Sequence, residues 1–426
     1  MRAVALAFAA VLAGCGDDGG GPDRPNVLLV TIDTLRADHL EPYGYGRATS
    51  PRIAELASRS VVFDEAVAPS SWTLPSLASI MTSLPPSTHR ATEIASRLGS
   101  DHRTLAEILA AAGYDTYAVA THYFLDRRFG LSQGFTHFDV QLVDRLELSH
   151  LAITSERVVE KASRWIDDKS LEDDGMPWFA WLHFFDPHSV YQPHDEFAFG
   201  SELVDLYDGE IAFTDRAVGR LLDRLEARGL ADDTIVVVVA DHGEEFGDHG
   251  ATGHGHTLHR ELVRVPMVVH VPGTAPARVE QPVGAVDLVP TLLELVGVEC
   301  EERFAGRSLV PLLDGGTLAP RPVLSEVELP NGRELASLVT DRWKLVHDFL
   351  DETSRLYDRE HDVEETADVS ASHQDVVEDL LGVVTTLRAE AEVRAIADGP
   401  GEALEVDEMR ALRLLGYAAE EEVPGR

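Results

Sequence analysis

The fold is decided by residues 232–250, DDTIVVVVADHGEEFGDHG. Thr234 to Ala240 is an unbroken apolar, β-branched run, the composition of a strand buried on both faces. It stops at Asp241-His242-Gly243. Ligands of parallel sheets bind beyond the carboxyl ends of the strands, so these residues stand where a site is expected. The same pattern recurs outward from this stretch. NVLLVTI (26–32) is followed by Asp33, and WFAWLHF (178–184) by Asp186 and His188. A lone strand-terminal Asp is often a cap or turn former. Three strands delivering carboxylate or imidazole to one edge argue for chemistry there. Between Asp241 and His259 stand His242, His249, His254, His256 and His259, in a Gly-rich stretch unlike a core. Glycine lets backbone approach a ligand, and histidine is the commonest metal ligand.

Strand-like and helix-like segments alternate from Asn26 over nearly 300 residues. SPRIAELASRS (50–60) reads as a helix with a Ser cap and Pro at its first position. TLAEILAAAGY, DTYAVA, an amphipathic helix from 202 to about 229, VPMVVHVPG and AVDLVPTLLELVG follow. This alternation predicts an α/β fold with a doubly wound, mostly parallel sheet. Composition shifts near LLDGGTLAPRP. The segments PVLSEVE, ASLVTD, RWKLVHDF and RLYD predict an antiparallel sheet, closed by a charged helix from about 373 to 397. The expected organisation is a catalytic domain over 25–317 and a smaller C-terminal α+β subdomain over 318–426.

The start, MRAVALAFAAVLAGC, has a positive n-region at Arg2 and an apolar stretch too short for a stable span. LAGC resembles the bacterial lipoprotein box. That implies a signal peptide over 1–14, lipidation of Cys15, and a flexible tether over 15–24; the plainer alternative is an ordinary cleaved signal. Either way the protein is expected to be exported. With lipidation it is membrane-anchored, facing the periplasm or cell surface. With Cys15 so used, Cys300 has no cysteine left to pair with. The formal net charge of −38 argues against nucleic-acid binding. An anionic substrate must therefore find local cations.

APSSWTLPSLASIMTSLPP (68–86) raises a local question. Thr73 before Leu-Pro-Ser reads as a helix cap on its own, and as a nucleophile when taken with Asp33, Asp241 and His242. Ser70, Ser71 and Ser76 are the lesser alternatives. Together with RPNVLLVTIDTLRADHLEPYGY (24–45), ADHGEEFGDHG (240–250), TLHRELVRVPMVV (257–269), DLVPTLLELVG (287–297) and VTDRWKLVHD (339–348), this segment resembles the sulfatase family of the alkaline phosphatase superfamily.

The resemblance implies a divalent metal held by Asp33, Asp241, His242 and the Thr73 hydroxyl. Mixed oxygen and nitrogen donors favour Mn, Zn or Fe, with Ca and Mg as the further options. Thr34 stands where a second metal aspartate is usual. The family nucleophile, converted to formylglycine, is replaced by Thr73, and the motif's arginine by Leu77. The family's Lys-x-His pair falls on His122 and Phe124, and a later substrate lysine on His256. A plain threonine has one hydroxyl, so its ester is resolved by water at the central atom, a route suited to phosphorus. The expected activity is cleavage of sulfate or phosphate esters, with phosphodiester and phosphonate chemistry favoured. His256, His188 and His122 are the expected catalytic imidazoles. Asp186, His188 and His254 offer a second metal site, unless Asp-Pro-His is only a turn. A phosphotransferase and a non-catalytic, surface-anchored binding protein are the other readings. Asp248 and His249 are expected to order the loop, Glu244 to hydrogen-bond a metal ligand or to be a solvated loop residue, Trp72 to shape the pocket or simply pack, and Tyr43 and Tyr45 to be structural.

Overall fold

The computed structural model describes residues 24–140, 154–169 and 175–395. The expected leader, Cys15, most of the tether and residues 396–426 lie outside the described residues. No helix among the described residues is long and apolar enough to cross a membrane.

The central sheet is built from β1 (Asn26–Ile32), β2 (Val61–Val67), β3 (Asp115–Ala120), β4 (His137–Asp139), β5 (Trp178–Phe184), β6 (Thr234–Ala240), and later strands. The short pair β7 (Glu245–Phe246) and β8 (Thr252–Gly253) forms a ribbon beyond β6. Then come β9 (Arg264–His270), β10 (Ala277–Val279) and β11 (Val283–Gly284). The order is β10-β2-β9-β6-β1-β5-β3-β4, with β11 beside β2. β1 runs parallel to β5 and β6, and β3 parallel to β5 and β4. β9 departs from this pattern, pairing antiparallel with β2 and β6.

β5 and β6 are buried along their whole lengths, as their apolar runs require. Each fully buried Val or Leu contributes about 1.5–3 kcal/mol. Helices cover the sheet, among them Pro51–Ala57, Leu105–Ala111, Ser155–Lys169, Leu203–Ala227 and Leu288–Leu295. At the first of these the Ser cap is not made. Ser50 Oγ accepts from Glu41 N instead, and Asp215 captures the helix amides of Arg52 and Ile53 at 2.9 and 2.7 Å. A carboxylate from a distant helix wins because it satisfies two orphan donors at once.

The C-terminal subdomain is the expected antiparallel sheet, β12 (Val323–Glu328), β13 (Glu334–Val339), β14 (Trp343–Asp348) and β15 (Thr353–Asp358). Leu338, Leu345 and Leu356 pack against Val384 of the helix Gln374–Arg394. This unit is joined to the segment after β2 by hydrogen bonds: Glu326 N–H donates to Pro69 O at 2.9 Å, and Ser325 Oγ to Ala68 O at 2.6 Å.

Candidate active site

The adjacent strands β6, β1, β5 and β3 end side by side, and each supplies side chains to one buried cluster. Asp33 follows β1, Asp241 and His242 follow β6, His183 lies on β5, and His122 follows β3. Asp33, Asp241, His242 and Thr73 are fully buried. Asp33, Asp241 and His242 each place a donor atom within 4.8 Å of the others. His242 Nε2 is 3.6 Å from Asp33 Oδ1 and 3.6 Å from Asp241 Oδ2. Thr73 Oγ1 is 3.3 Å from the same nitrogen.

The chemistry of these atoms suits a cation. His242 Nδ1 donates to Gly243 O at 2.9 Å, which leaves Nε2 as the lone-pair nitrogen of the neutral ring. Asp33 Oδ1 and Asp241 Oδ2 are buried without a hydrogen-bond partner. Three electron-rich atoms thus converge with no hydrogen bond among them. Burial, and then repulsion from Asp241, raises the Asp33 carboxyl well above its usual range; burial lifts Asp241 to about 7. A divalent ion removes both penalties.

Asp33 is oriented from its other oxygen. Trp181 Nε1 donates to Thr31 Oγ1, Thr31 faces His183 Nδ1, both at 2.9 Å, and His183 Nε2 is 3.3 Å from Asp33 Oδ2. His122 approaches the same oxygen at 3.7 Å, its Nδ1 accepting from Phe124 N–H. Thr34 holds φ +52°, a left-handed conformation costly for a β-branched residue by about 1–3 kcal/mol. Tyr207 pins it by donating to Thr34 O at 2.7 Å.

Thr73 opens the helix Thr73–Thr82 as its first residue; Trp72 occupies the cap position and makes no side-chain cap bond. The cap reading of Thr73 therefore gives way to one in which its hydroxyl faces His242. Ser76 is turned elsewhere, donating to Asp241 O at 2.5 Å, and Ser70 and Ser71 are buried beside it.

Two expected site residues are placed differently. Asp186 accepts from Thr154 N, Ser155 N and Ser155 Oγ, the last two at 2.8 and 2.6 Å. It caps the helix Ser155–Lys169, because a buried carboxylate at a helix N-terminus satisfies orphan amides. The expected second metal set thus loses its carboxylate. His188 and His254 do meet, with ring centroids 5.0 Å apart, and His254 lies 4.6 Å from the His242 ring. His256 pairs with Glu245 at 2.8 Å and is a third exposed. Burial pushes His188 down to about 3 and His183 to about 4, and holds His122 and His254 well below 6.5, so these rings are neutral.

Tyr43 and Tyr45 are structural, as expected. Tyr43 accepts from Met267 N at 2.7 Å, and Tyr45 donates to Asp208 at 2.6 Å. Sequence reading missed His183, Tyr191 and Arg36. His183 pairs with Thr31 in register. A polar residue inside an otherwise apolar strand, aligned beside the strand that ends in Asp33, was its signal. Glu244 accepts from His254 at 3.0 Å and from Tyr191 at 2.9 Å. Arg36 donates to Glu244 O at 3.0 Å and grips both oxygens of Asp248, tying the loop after β6 to the loop after β1. Nothing in their local sequence marks Tyr191 or Arg36.

With fold and site defined, the class follows: the chain belongs to the sulfatase family, whose model matches residues 25–298. A second model, N-sulphoglucosamine sulphohydrolase, C-terminal, matches residues 247–390. The protein is a sulfatase-like hydrolase. Among its relatives are the choline-sulfatase of Rhizobium meliloti, 25% identical over 80% of this chain and 81% of that protein, and the ulvan-active sulfatase of Formosa agariphila, 26% identical over 74% and 71%. The solved structure of the phosphonate monoester hydrolase of Agrobacterium radiobacter shares the fold, with a TM-score of 0.72 at 22% identity, covering 86% of this chain and 96% of that one.

Proposed function

We propose that the protein is an exported, metal-dependent ester hydrolase that uses Thr73 as its nucleophile and favours phosphodiesters and phosphonate monoesters over sulfate esters. The observation carrying this is the Thr73 hydroxyl beside His242, at the rim of the unpartnered Asp33 and Asp241 oxygens. Asp33, Asp241, His242 and Thr73 are the residues that would hold the ion. When bound, a divalent metal lowers the pKa of a coordinated hydroxyl and offsets the charge of an anionic ester.

The chain's own residues do the rest. Thr73 sits at a helix N-terminus, where backbone amides and the helix dipole favour anionic oxygens. The Thr73 hydroxyl gives up its proton as Oγ attacks phosphorus, the bond from phosphorus to the leaving oxygen breaks, and the leaving oxygen takes up that proton. His188 and His122, neutral at rest, are the candidate imidazoles to accept the proton and pass it on. Water then attacks phosphorus and releases Thr73. A single hydroxyl cannot expel sulfate as a formylglycine hydrate does, which supports phosphorus over sulfur. The N-terminal sequence supports export and lipid anchoring through Cys15.

The test is metal content followed by turnover of p-nitrophenyl sulfate, p-nitrophenyl phosphate, bis-p-nitrophenyl phosphate and a phosphonate monoester. Thr73→Ala is expected to lose at least about 10³-fold in kcat while retaining metal. A protein that holds no metal and turns over none of these esters is the binding protein of the alternative reading.

A further inference from the structure

The loop from Gly243 to Leu258 carries Glu244, Glu245, His254 and His256, and Gly255 N–H donates to Ser71 O at 2.9 Å, two residues before Thr73. Its far side rests on the C-terminal subdomain. The hub there is Glu365, buried and held at φ +55°. Its carboxylate accepts from Lys344 Nζ at 2.8 Å to each oxygen, from Arg260 N at 3.0 Å, and faces His259 Nδ1 at 3.3 Å.

His249 closes the contact. Its Nδ1 is 2.7 Å from Glu261 Oε1 and its Nε2 is 3.1 Å from Glu365 O. Both partners are acceptors only, and a neutral imidazole has one N–H. The ring satisfies both only when doubly protonated. It stacks on His259 with centroids 3.7 Å apart, and its own backbone N–H donates to Glu245 Oε1 at 2.9 Å. The route inward is short. Gly243, next to His242, donates to Leu262 O at 2.8 Å. A side chain at Gly243 would meet Glu261 O at 1.9 Å, so this backbone approach admits only glycine.

We propose that His249, as an imidazolium donating from both ring nitrogens, is a proton-dependent positioning residue that pins the active-site loop to Glu365 of the C-terminal subdomain. The groups facing it are Glu261, His259 and Arg260 from the segment before β9, Glu365 with Lys344 from the C-terminal subdomain, and Glu245 and Asp248 from its own loop. Burial opposes its charge, but the Glu261 carboxylate and the Glu365 carbonyl outweigh it and hold His249 above 6.5. Loss of one proton breaks one of the two bonds and frees the loop on that side.

The experiment is ¹⁵N NMR of the ring nitrogens in the full chain, with His249→Gln assigning the resonance, beside chymotrypsin nicking at Phe246 normalised to the unfolded chain. Both nitrogens of His249 are expected to be protonated near neutral pH, with a midpoint above the ordinary ~6.5. Glu261→Gln lowers that midpoint. Nicking is expected to rise about tenfold in His249→Gln, the size of one charge-assisted bond, and in the wild type only above the midpoint. A His249 with one protonated nitrogen at neutral pH overturns the proposal, as does nicking indifferent both to His249→Gln and to its titration. Turnover is not read, so the result stands apart from the hydrolase reading.

Discussion

Two buried carboxylate centres lie on opposite sides of the loop after β6, and the chain treats them in opposite ways. At Glu365 the chain supplies the cation itself: Lys344 bonds both oxygens. Burial works against ionisation of Glu365, yet Lys344 and His259 outweigh it and hold the carboxyl at about 2. At Asp33 and Asp241 the partners are backbone amides and neutral imidazoles with no cation among them, one oxygen of each carboxylate is unpartnered, and both groups are pushed up. Burying a charge costs several kcal/mol unless it is paired. The first centre meets that cost within the sequence and serves as a structural joint. The second leaves it unmet, which supports the proposal that it takes up a cation.

The sharpest way to break this comparison is to remove a partner at each centre. Lys344→Met leaves Glu365 buried beside one fewer cation, and unfolding in urea is expected to show a loss of about 3–5 kcal/mol. Asp33→Asn acts with the opposite sign. It removes a repelling charge from a buried pair, so the metal-free protein gains about 1 kcal/mol or more, while calorimetric titration with Mn or Zn shows binding abolished. If Asp33→Asn destabilises the metal-free protein as Lys344→Met does, the two centres are alike and the site reading fails.

Acid sharpens the same contrast. Glu365 has a folded pKa of about 2 against 4.5 unfolded, so it is depressed. Its contribution, on the order of 3 kcal/mol, is present above about pH 4.5 and is lost as pH falls through about 2. Urea midpoints measured down this range should fall in the wild type and less in Glu365→Gln, whose lower starting stability has already forfeited the term. Equal slopes would show that Glu365 is not held ionised by its partners.

How much of this was readable beforehand follows from range. The buried runs of β1, β5 and β6 and their terminal Asp33, Asp241 and His242 announce themselves locally, because strand burial and strand-end chemistry are both written within about ten residues. The Glu365 joint does not. Lys344, His259 and Glu365 come from three separate segments; Lys344 and Glu365 each read alone as an ordinary surface charge, and His259 as one member of the histidine-rich stretch after β6. The capping role of Asp186 is hidden for the same reason. Its partners, Thr154 and Ser155, belong to a helix whose start has no sequence tie to Asp186. His183 was missed although it was legible, since its register beside Thr31 needs only the pairing of β1 with β5.

The smallest expected effect separates two neighbouring histidines. The family resemblance puts His256 at a substrate-binding position, while the structure pairs it with Glu245 at a half-open edge of the loop. A pair with that exposure is worth about 0–1 kcal/mol. His256→Ala is therefore expected to change kcat/KM by threefold or less. His254 is held by the buried Glu244, itself held by Tyr191, and its ring faces the His242 ring. Partners of this kind orient metal ligands and cost about 10–100-fold when removed. His254→Ala is expected in that range, with weaker metal binding measured directly. If the order is reversed, and His256→Ala costs more than tenfold, the loop closes on substrate further than this structure shows, and His256 regains the role its position in the sequence implies.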